Sequence, residues 1–347
     1  MNAIPLIRAS VLRPYLDVLG MLGAPCVDLL ACVHLPPPEE LRPEVLISYQ
    51  QTLDFVAVCN GVTGGQQFPA LMAQRTSLDQ LGSWGRLLGR AKTLGELLRV
   101  TVETSWLHTN AVRWWLEDCG PEVRLCHHFD RRLDLGKGDV LVPLLGYILR
   151  GLRHVLGADF TPKEITLAVP LPVPTEQLGI DTPMRVSGIT AIPVPRHLLS
   201  TPTPSVTGIL TNAAPEGMST LAQNAPARDL VGSLRQALLP LVCAGDTGIE
   251  TVAEILRLSV RTLQRRLTEA GLSYRDLVQQ VQLARALQLM ADPSLKLIDV
   301  AFALGFSEHA HFTRAFRRWT GVSPRTFREI HLAPDRAALP RTEGHAL

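Results

Sequence analysis

Residues 252–267 read VAEILRLSVRTLQRRL and residues 300–316 read VAFALGFSEHAHFTRAF, one pattern written twice, 48 residues apart. Val252-Ala253, Leu256 and Ser259 recur as Val300-Ala301, Leu304 and Ser307. Each copy predicts a short helix with one apolar face, a tight turn, and a second helix capped by serine. In the first copy Val252, Ile255 and Leu256 form the buried face, Ala253 permits close helix approach, and Leu258 plugs the turn. Ser259 can accept from the exposed N–H groups of the next helix, worth roughly 1 kcal/mol. In the second copy Gly305 permits the turn, Phe306 plugs it, and Ser307 is expected to cap. Leu263 and Leu267 are answered by Phe312 and Phe316, but the second copy has one extra residue between serine and first apolar anchor. An apolar plug fixes the angle between two such helices and lets the second one project.

The projecting faces carry the chemistry. With Leu263 and Leu267 turned inward, Arg261, Gln264, Arg265 and Thr268 fall on one outward stripe. Arg and Gln pair bidentately with guanine and adenine edges. In the second copy His309, Ala310, His311 and Arg314 face outward from the leading turns. Thr262, Arg266, Arg317, Arg318 and Arg325 are placed for phosphates. A helical bundle with a solvated surface accounts for one such unit, and accounts poorly for two in register. The pair therefore reads as two helix-turn-helix units on double-stranded promoter DNA. Between them, Ser273 to Asp276 is a capping box opening a connector helix that runs to about Met290 and ends before Asp292-Pro293. At ~1.5 Å per residue it spans on the order of 27 Å, compatible with successive major grooves about 34 Å apart.

Working outward, a helix over 230–242 precedes the repeat, apolar at Leu230, Leu234, Leu238, Leu241 and Val242. Before it, residues 193–226 hold six prolines among Ser, Thr, Gly and Asn, a loop-and-linker composition. Helical spacing recurs over 41–58, 93–107 and 140–156. Val112, Trp114 and Leu116 alternate, Cys119-Gly120-Pro121 turns, and Val123, Leu125, His127 and Phe129 alternate again, which predicts a β-hairpin. Residues 164–169 read as a further strand. The expected architecture is an α+β N-terminal domain (1–205), a linker (206–228), an all-α domain with two helix-turn-helix units joined by the connector (229–332), and a tail (333–347).

The whole chain of 347 residues has a formal charge of +2, too mild to point to nucleic acid. From 246 to 329, however, eleven Arg and one Lys stand against nine acids. Arg-rich faces favour forked contacts to phosphate and guanine. The six cysteines have no framework spacing, as in a reduced, cytoplasmic chain. No signal peptide and no uninterrupted apolar run of about 18 residues is present, so no membrane association is expected.

Residues 259–267, SVRTLQRRL, and 305–324, GFSEHAHFTRAFRRWTGVSP, resemble the two signatures of the AraC/XylS family of transcription regulators. The resemblance covers about 100 residues. It implies a bacterial DNA-binding regulator whose first unit contacts bases through Arg261, Gln264 and Arg265, and whose second does so through His309, Ala310, His311 and Arg314. It also implies RNA polymerase as a partner if the protein activates, and admits a homodimer. The family often has Gln or Ser where His309 and His311 stand, so operator preference does not carry over. Residues 81–88, 93–98 and 160–165 resemble the α+β sensor of one subgroup of the family. That sensor differs from the all-β cupin of the arabinose regulator, so a sugar ligand is not implied.

In the first domain, His108, Arg113 and Trp114, with Trp106 and Trp115 nearby, are candidates for binding a small-molecule effector, although aromatics at strand spacing are more often core. Cys126-His127-His128 invites a metal, but neighbours on a strand face opposite ways, so no metal is assigned. Arg86 and Arg90, one helical turn apart, could hold a carboxylate or simply face solvent. No phosphate loop, GxSxG elbow or paired carboxylates occur. Cys26, Cys32 and Cys59 lack the spacing of the DNA-repair methyltransferase fused to some family members. No cofactor and no catalytic residue are expected. An N-terminal domain that only dimerises remains the alternative to an effector sensor.

Overall fold

The computed structural model describes residues 3–62, 67–130, 133, 137–204 and 218–331. The expected tail, 333–347, and residues 206–217 of the expected linker lie outside them. Leu6–Arg8 (β1) pairs antiparallel with Leu46–Ser48 (β2), Ile7 lying opposite Ile47. Helical spacing over 41–58 is only half fulfilled, because the helix α3 begins at Tyr49 (α3, Tyr49–Val62). All three residues of β2 are buried. A partner strand on its edge outweighs the local helical period.

Around this ribbon pack α1 (Arg13–Met21), α2 (Cys26–Ala31), α3 and α4 (Gln67–Arg75), with Tyr15, Phe55 and Phe68 in their shared core. Next come α5 (Gly82–Leu88) and α6 (Leu94–Thr104), the latter capped by the Thr93 side chain accepting from Glu96 N–H. Val112–Asp118 (β3) and Glu122–Phe129 (β4) form the expected hairpin. Its register sets Val112, Trp114 and Leu116 opposite Phe129, His127 and Leu125. The helix α7 (Lys137–Leu156) covers this sheet. Ile165–Leu167 (β5), Met184–Val186 (β6) and Thr190–Pro195 (β7) complete a five-stranded sheet ordered β3-β4-β7-β5-β6.

The loop reading of 193–226 is corrected at both ends. β7 is the central strand of that sheet, and Pro193 and Pro195 lie within it. Pairing with β5 is made at Ala191, ahead of both prolines, so these border an edge where a missing N–H costs little. Farther on, α8 (Met218–Gln223) places buried Leu221 in the core of the first domain.

From residue 229 the chain is helical. Asp229 caps α9 (Leu230–Ala244), and α10 (Ile249–Ile255), α11 (Val260–Glu269), α12 (Tyr274–Met290), α13 (Leu297–Phe302), α14 (His309–Thr320) and α15 (Pro324–His331) follow. Leu234 and Leu238 of α9 share one core with Val252, Leu263, Val281, Val300, Phe312 and Phe316. Ile4, Leu6 and Leu46 belong to that same core, and Ile4 N–H donates to Ser233 Oγ at 2.8 Å. The start of the chain therefore packs with the C-terminal helices, a link the sequence did not reveal.

Close backbone approach sets one further constraint. Gly305, in the second helix-turn-helix turn, has φ +75°, and a Cβ there would lie 2.5 Å from Gly245 Cα and 2.8 Å from Val242 O. Gly321 also has positive φ, +82°, but open space around it. Gly305→Ala is expected to cost about 2–5 kcal/mol, from left-handed backbone plus overpacking. Gly321→Ala should cost about 1 kcal/mol, from backbone alone. Thermal melting of the two full-length variants side by side checks the difference.

Candidate nucleic-acid interface and sensor cavity

The second helices of the two repeated units, the candidate recognition helices, are α11 and α14. Ser259 caps α11, its Oγ accepting from Thr262 N–H at 3.1 Å. Leu263 and Leu267 are fully buried, which turns Arg261, Gln264, Arg265 and Thr268 out to solvent. Arg265 is held along the helix by Glu269 at 2.6 Å. Thr262 and Arg266 are half-buried at the flank, and the Thr262 hydroxyl also meets Ser259 Oγ at 2.8 Å.

Ser307 does not cap α14. The N-cap is Glu308, without a side-chain cap bond. The cause is the inserted residue: four positions before anchor Leu263 is Ser259, whereas four before Phe312 is Glu308. With Phe312 and Phe316 buried, Ala310, His311, Arg314, Arg317 and Arg318 are exposed and His309 is half-buried. Glu308 approaches His311 at 3.7 Å. Arg325, on α15, is exposed and pairs with Glu329 at 2.9 Å. Joining the two units, α12 has 17 residues, about 26 Å of helix, with Ser273 Oγ accepting from Asp276 N–H.

A cavity of about 120 Å³ lies in the first domain, between the β3–β4 hairpin and helices α5, α6 and α7. The strand register brings Trp114 and His127 into it together, ring centroids 4.6 Å apart and edge to face. His108 also lines it, stacked on Trp84 at 4.7 Å, while Trp84 Nε1–H donates to Thr104 Oγ1. Arg113 is not among the residues that line this cavity with His108; it meets Trp114 instead in a separate surface pocket beside Trp106 and Arg228. Strand alternation sends it to the opposite face, where its guanidinium lies 5.8 Å from the Trp115 ring centre. Trp106 is 40% exposed and carries Arg228 at 5.4 Å. Arg86 donates to Ser83 Oγ, and Arg90 follows the end of α5, so the two do not form a helical pair. Among the described residues, no group of three or more His, Cys, Asp or Glu converges as a metal site.

Sequence reasoning missed Trp84, Thr52 and Tyr147 as cavity residues. His127 was legible as the inward partner of a strand alternation, but the other three come from distant helices and leave no local signal.

Behind the cavity wall sits Arg8, 1% exposed. Its Nε donates to Leu107 O, its Nη1 to Glu44 O and Oε2, and its Nη2 to Leu221 O and Asn224 O. All five guanidinium N–H groups are thereby used. The Arg8 backbone N–H donates to His108 O at 3.0 Å.

Comparison with known proteins agrees with this geometry. Residues 252–330 match the helix-turn-helix domain family, and residues 23–178 match the arabinose-binding domain of AraC transcription regulators. The chain belongs to the AraC family. This AraC-family regulator is 25% identical to the HTH-type transcriptional regulator VirS of Mycobacterium tuberculosis over 93% of its own length and 96% of that protein's. It is 26% identical to the ornithine utilization regulator of Pseudomonas aeruginosa, over 83% and 88% of the two chains. The crystal structure of the transcriptional regulator CdpR from Pseudomonas aeruginosa aligns over 88% of this chain and 96% of that one, at 21% identity and TM-score 0.37. The AraC-family regulator is thus a DNA-binding transcription regulator with an α+β N-terminal domain. None of its described helices is long and apolar enough to cross a membrane.

Burial first and the Arg8 charge second lower the His108 pKa to about 3; burial first and His128 second do the same for His127. Both imidazoles are neutral in the folded regulator. Below the ordinary value of 6.5 the unfolded chain takes up protons that the folded one refuses, so stability falls with pH. Their contribution is complete above about pH 6.5 and drains away toward pH 3. The thermal midpoint is expected to drop between about pH 7 and 5. Replacing His108 and His127 together by Gln should flatten that drop.

Proposed function

We propose that α11 and α14 read base edges in two major grooves and that a small-molecule effector in the cavity controls how they do so. The observation that carries the first half is the exposure of Arg261, Gln264, Arg265 and of Ala310, His311, Arg314 on faces opposite fully buried anchors. Arg forks and the Gln amide supply bidentate contacts, and the imidazoles add further donors and acceptors. Thr262, Arg266, Arg317, Arg318 and Arg325 flank them and serve phosphates. Glu269 holds Arg265 extended along its helix, which lowers the entropy lost when a base is bound.

The effector half is supported by β1. Side chains alternate along a strand: Ile7 lines the cavity, whereas Leu6 packs in the core of α9 and the helix-turn-helix units. Asn110, two residues beyond His108, accepts from Leu6 N–H and donates to Ile4 O and to Ala227 O, just before α9. Asp54 on α3 pairs with Arg257 at 2.8 Å, and Arg257 lies in the turn of the first unit at φ 51°. A ligand that packs differently against Ile7 and His108 in two arrangements of β1 therefore biases the placement of α9 and α10. The N-terminal domain acts here by binding and not by catalysis. Family resemblance adds a homodimer, and RNA polymerase where the protein activates.

Arg265→Ala and Arg314→Ala should each relax base preference and cost about 1–3 kcal/mol of specific binding. Arg317→Ala should weaken operator and random DNA alike and reduce the salt slope by about one. Electrophoretic titrations at several salt concentrations separate the two classes. Full discrimination in both Arg265→Ala and Arg314→Ala would remove the base-reading assignment. For the effector, the full chain melted against a broad metabolite panel should show a midpoint that rises with ligand concentration. Dependence on protein concentration alone would identify a dimerisation domain instead.

A further inference from the structure

Four residues that line the cavity each carry a buried side-chain atom with no hydrogen-bond partner among the described residues: Thr52 Oγ1, His108 Nδ1, His127 Nδ1 and Tyr147 OH. They arrive from α3, from the segment after α6, from β4 and from α7, so no local turn or cap explains their meeting. All four residues are at most 7% exposed. Native proteins pair nearly all such atoms, and a cluster of exceptions around one space points to an absent partner.

The remaining wall is mainly apolar, built from Ile7, Leu98, Trp84, Trp114 and their neighbours; Thr101 and Thr109 also border it with their hydroxyls spent on Leu97 O and Leu6 O, Tyr15 and Tyr49 add their rings, and no Lys, Arg, Asp or Glu is among its described lining residues. Charges that reach the lining stand behind it. Arg8 lies next to His108 with every N–H committed, and Asp79 and Asp17 act on Tyr147 with the sign that opposes further negative charge. A carboxylate placed here would be buried without a cation, which is costly. A sugar would set a ring of hydroxyls against a wall that is mainly apolar, leaving several of them unpaired. Neutral imidazoles instead offer one donor and one acceptor each. A volume of about 120 Å³ is close to that of an apolar cavity known to hold benzene, ~150 Å³.

We propose that the cavity takes a neutral, mainly apolar ligand the size of one substituted aromatic ring, bearing one or two hydrogen-bonding groups. Phenols, aromatic alcohols and aromatic amides are the matching chemistry. Trp84 and Trp114 border the ring, and His108, His127, Tyr147 and Thr52 take the polar groups. The inference rests on the effector reading of this cavity and narrows it to a class.

The test uses the full chain with p-cresol, benzyl alcohol and benzamide, set against benzoate, L-arabinose and toluene, by thermal melting and calorimetric titration. The neutral polar aromatics should raise the midpoint and bind in a one-to-one ratio, with benzoate and arabinose inert and toluene weaker. Tyr147→Phe and His127→Phe, made separately, each remove a polar atom and keep the bulk. Each should weaken p-cresol about tenfold and leave toluene within about twofold, which also reports that the cavity has stayed intact. Binding of benzoate or arabinose in place of the neutral compounds would overturn the class and leave the effector reading standing. Toluene binding as tightly as p-cresol, with neither variant changing affinity, would overturn the role of the polar atoms. Silence of all six would also overturn the class, while the effector reading falls only if the broad panel is silent too.

Discussion

The buried Arg8 guanidinium is the interaction on which the packing around β1 depends. A charge this deep is tolerable only when each of its donors is met, and here five acceptors from three segments meet them. Leu107 O belongs to the turn that positions His108, Glu44 to the segment entering β2, and Leu221 and Asn224 to the α8 region. Glu44 in turn accepts from Ser83 N–H at 2.7 Å through its other oxygen, at the head of α5. One side chain thus gathers the ribbon, the cavity wall and the segment leading to α9.

Arg8 and Leu6 share a face of β1, and Ile7 occupies the other. The strand is therefore a partition with the cavity on one side and the DNA-binding helices on the other. Its three residues form a small element shared by both neighbouring cores, which makes it a short mechanical path between the cavity and the helix-turn-helix units. Two partly exposed polar contacts, the ion pair of Asp54 with Arg257 and the hydrogen bond between His34 and Asp246, join the same bodies at their rims. Exposed pairs of this kind contribute little to stability, so they can exchange partners without unfolding either domain.

Local physics wrote most of the DNA-binding half into the sequence. The repeated Val-Ala pair, the turn plugs Leu258 and Phe306, and the spacing of Leu263, Leu267, Phe312 and Phe316 require nothing from distant residues. The Ser307 cap failed for a reason visible in the same lines, the inserted residue that hands the N-cap to Glu308. The hairpin was legible because side chains alternate with period two, and the same rule put His127 inward; applied to Arg113, it argues against grouping that residue with His108 and Trp114 in the cavity. What was illegible depends on partners far away in the chain. β2 hides in a helical period until β1 pairs with it, β7 hides behind Pro193 and Pro195 until an edge excuses them, and Thr52 and Tyr147 acquire meaning only where four segments converge.

The helix α9 rests its Leu234 and Leu238 in a core that also holds Ile4, Leu6 and Leu46, and its Gly245 abuts Gly305 of the second unit. The seam between the two bodies is consequently not the stretch of chain that separates them. Anyone grafting a foreign sensor onto these DNA-binding helices by cutting near residue 229 would strip α9 of its cover and leave an oily ledge facing water. A working hybrid would have to bring along the first residues of the chain, or redesign that ledge to suit its new neighbour.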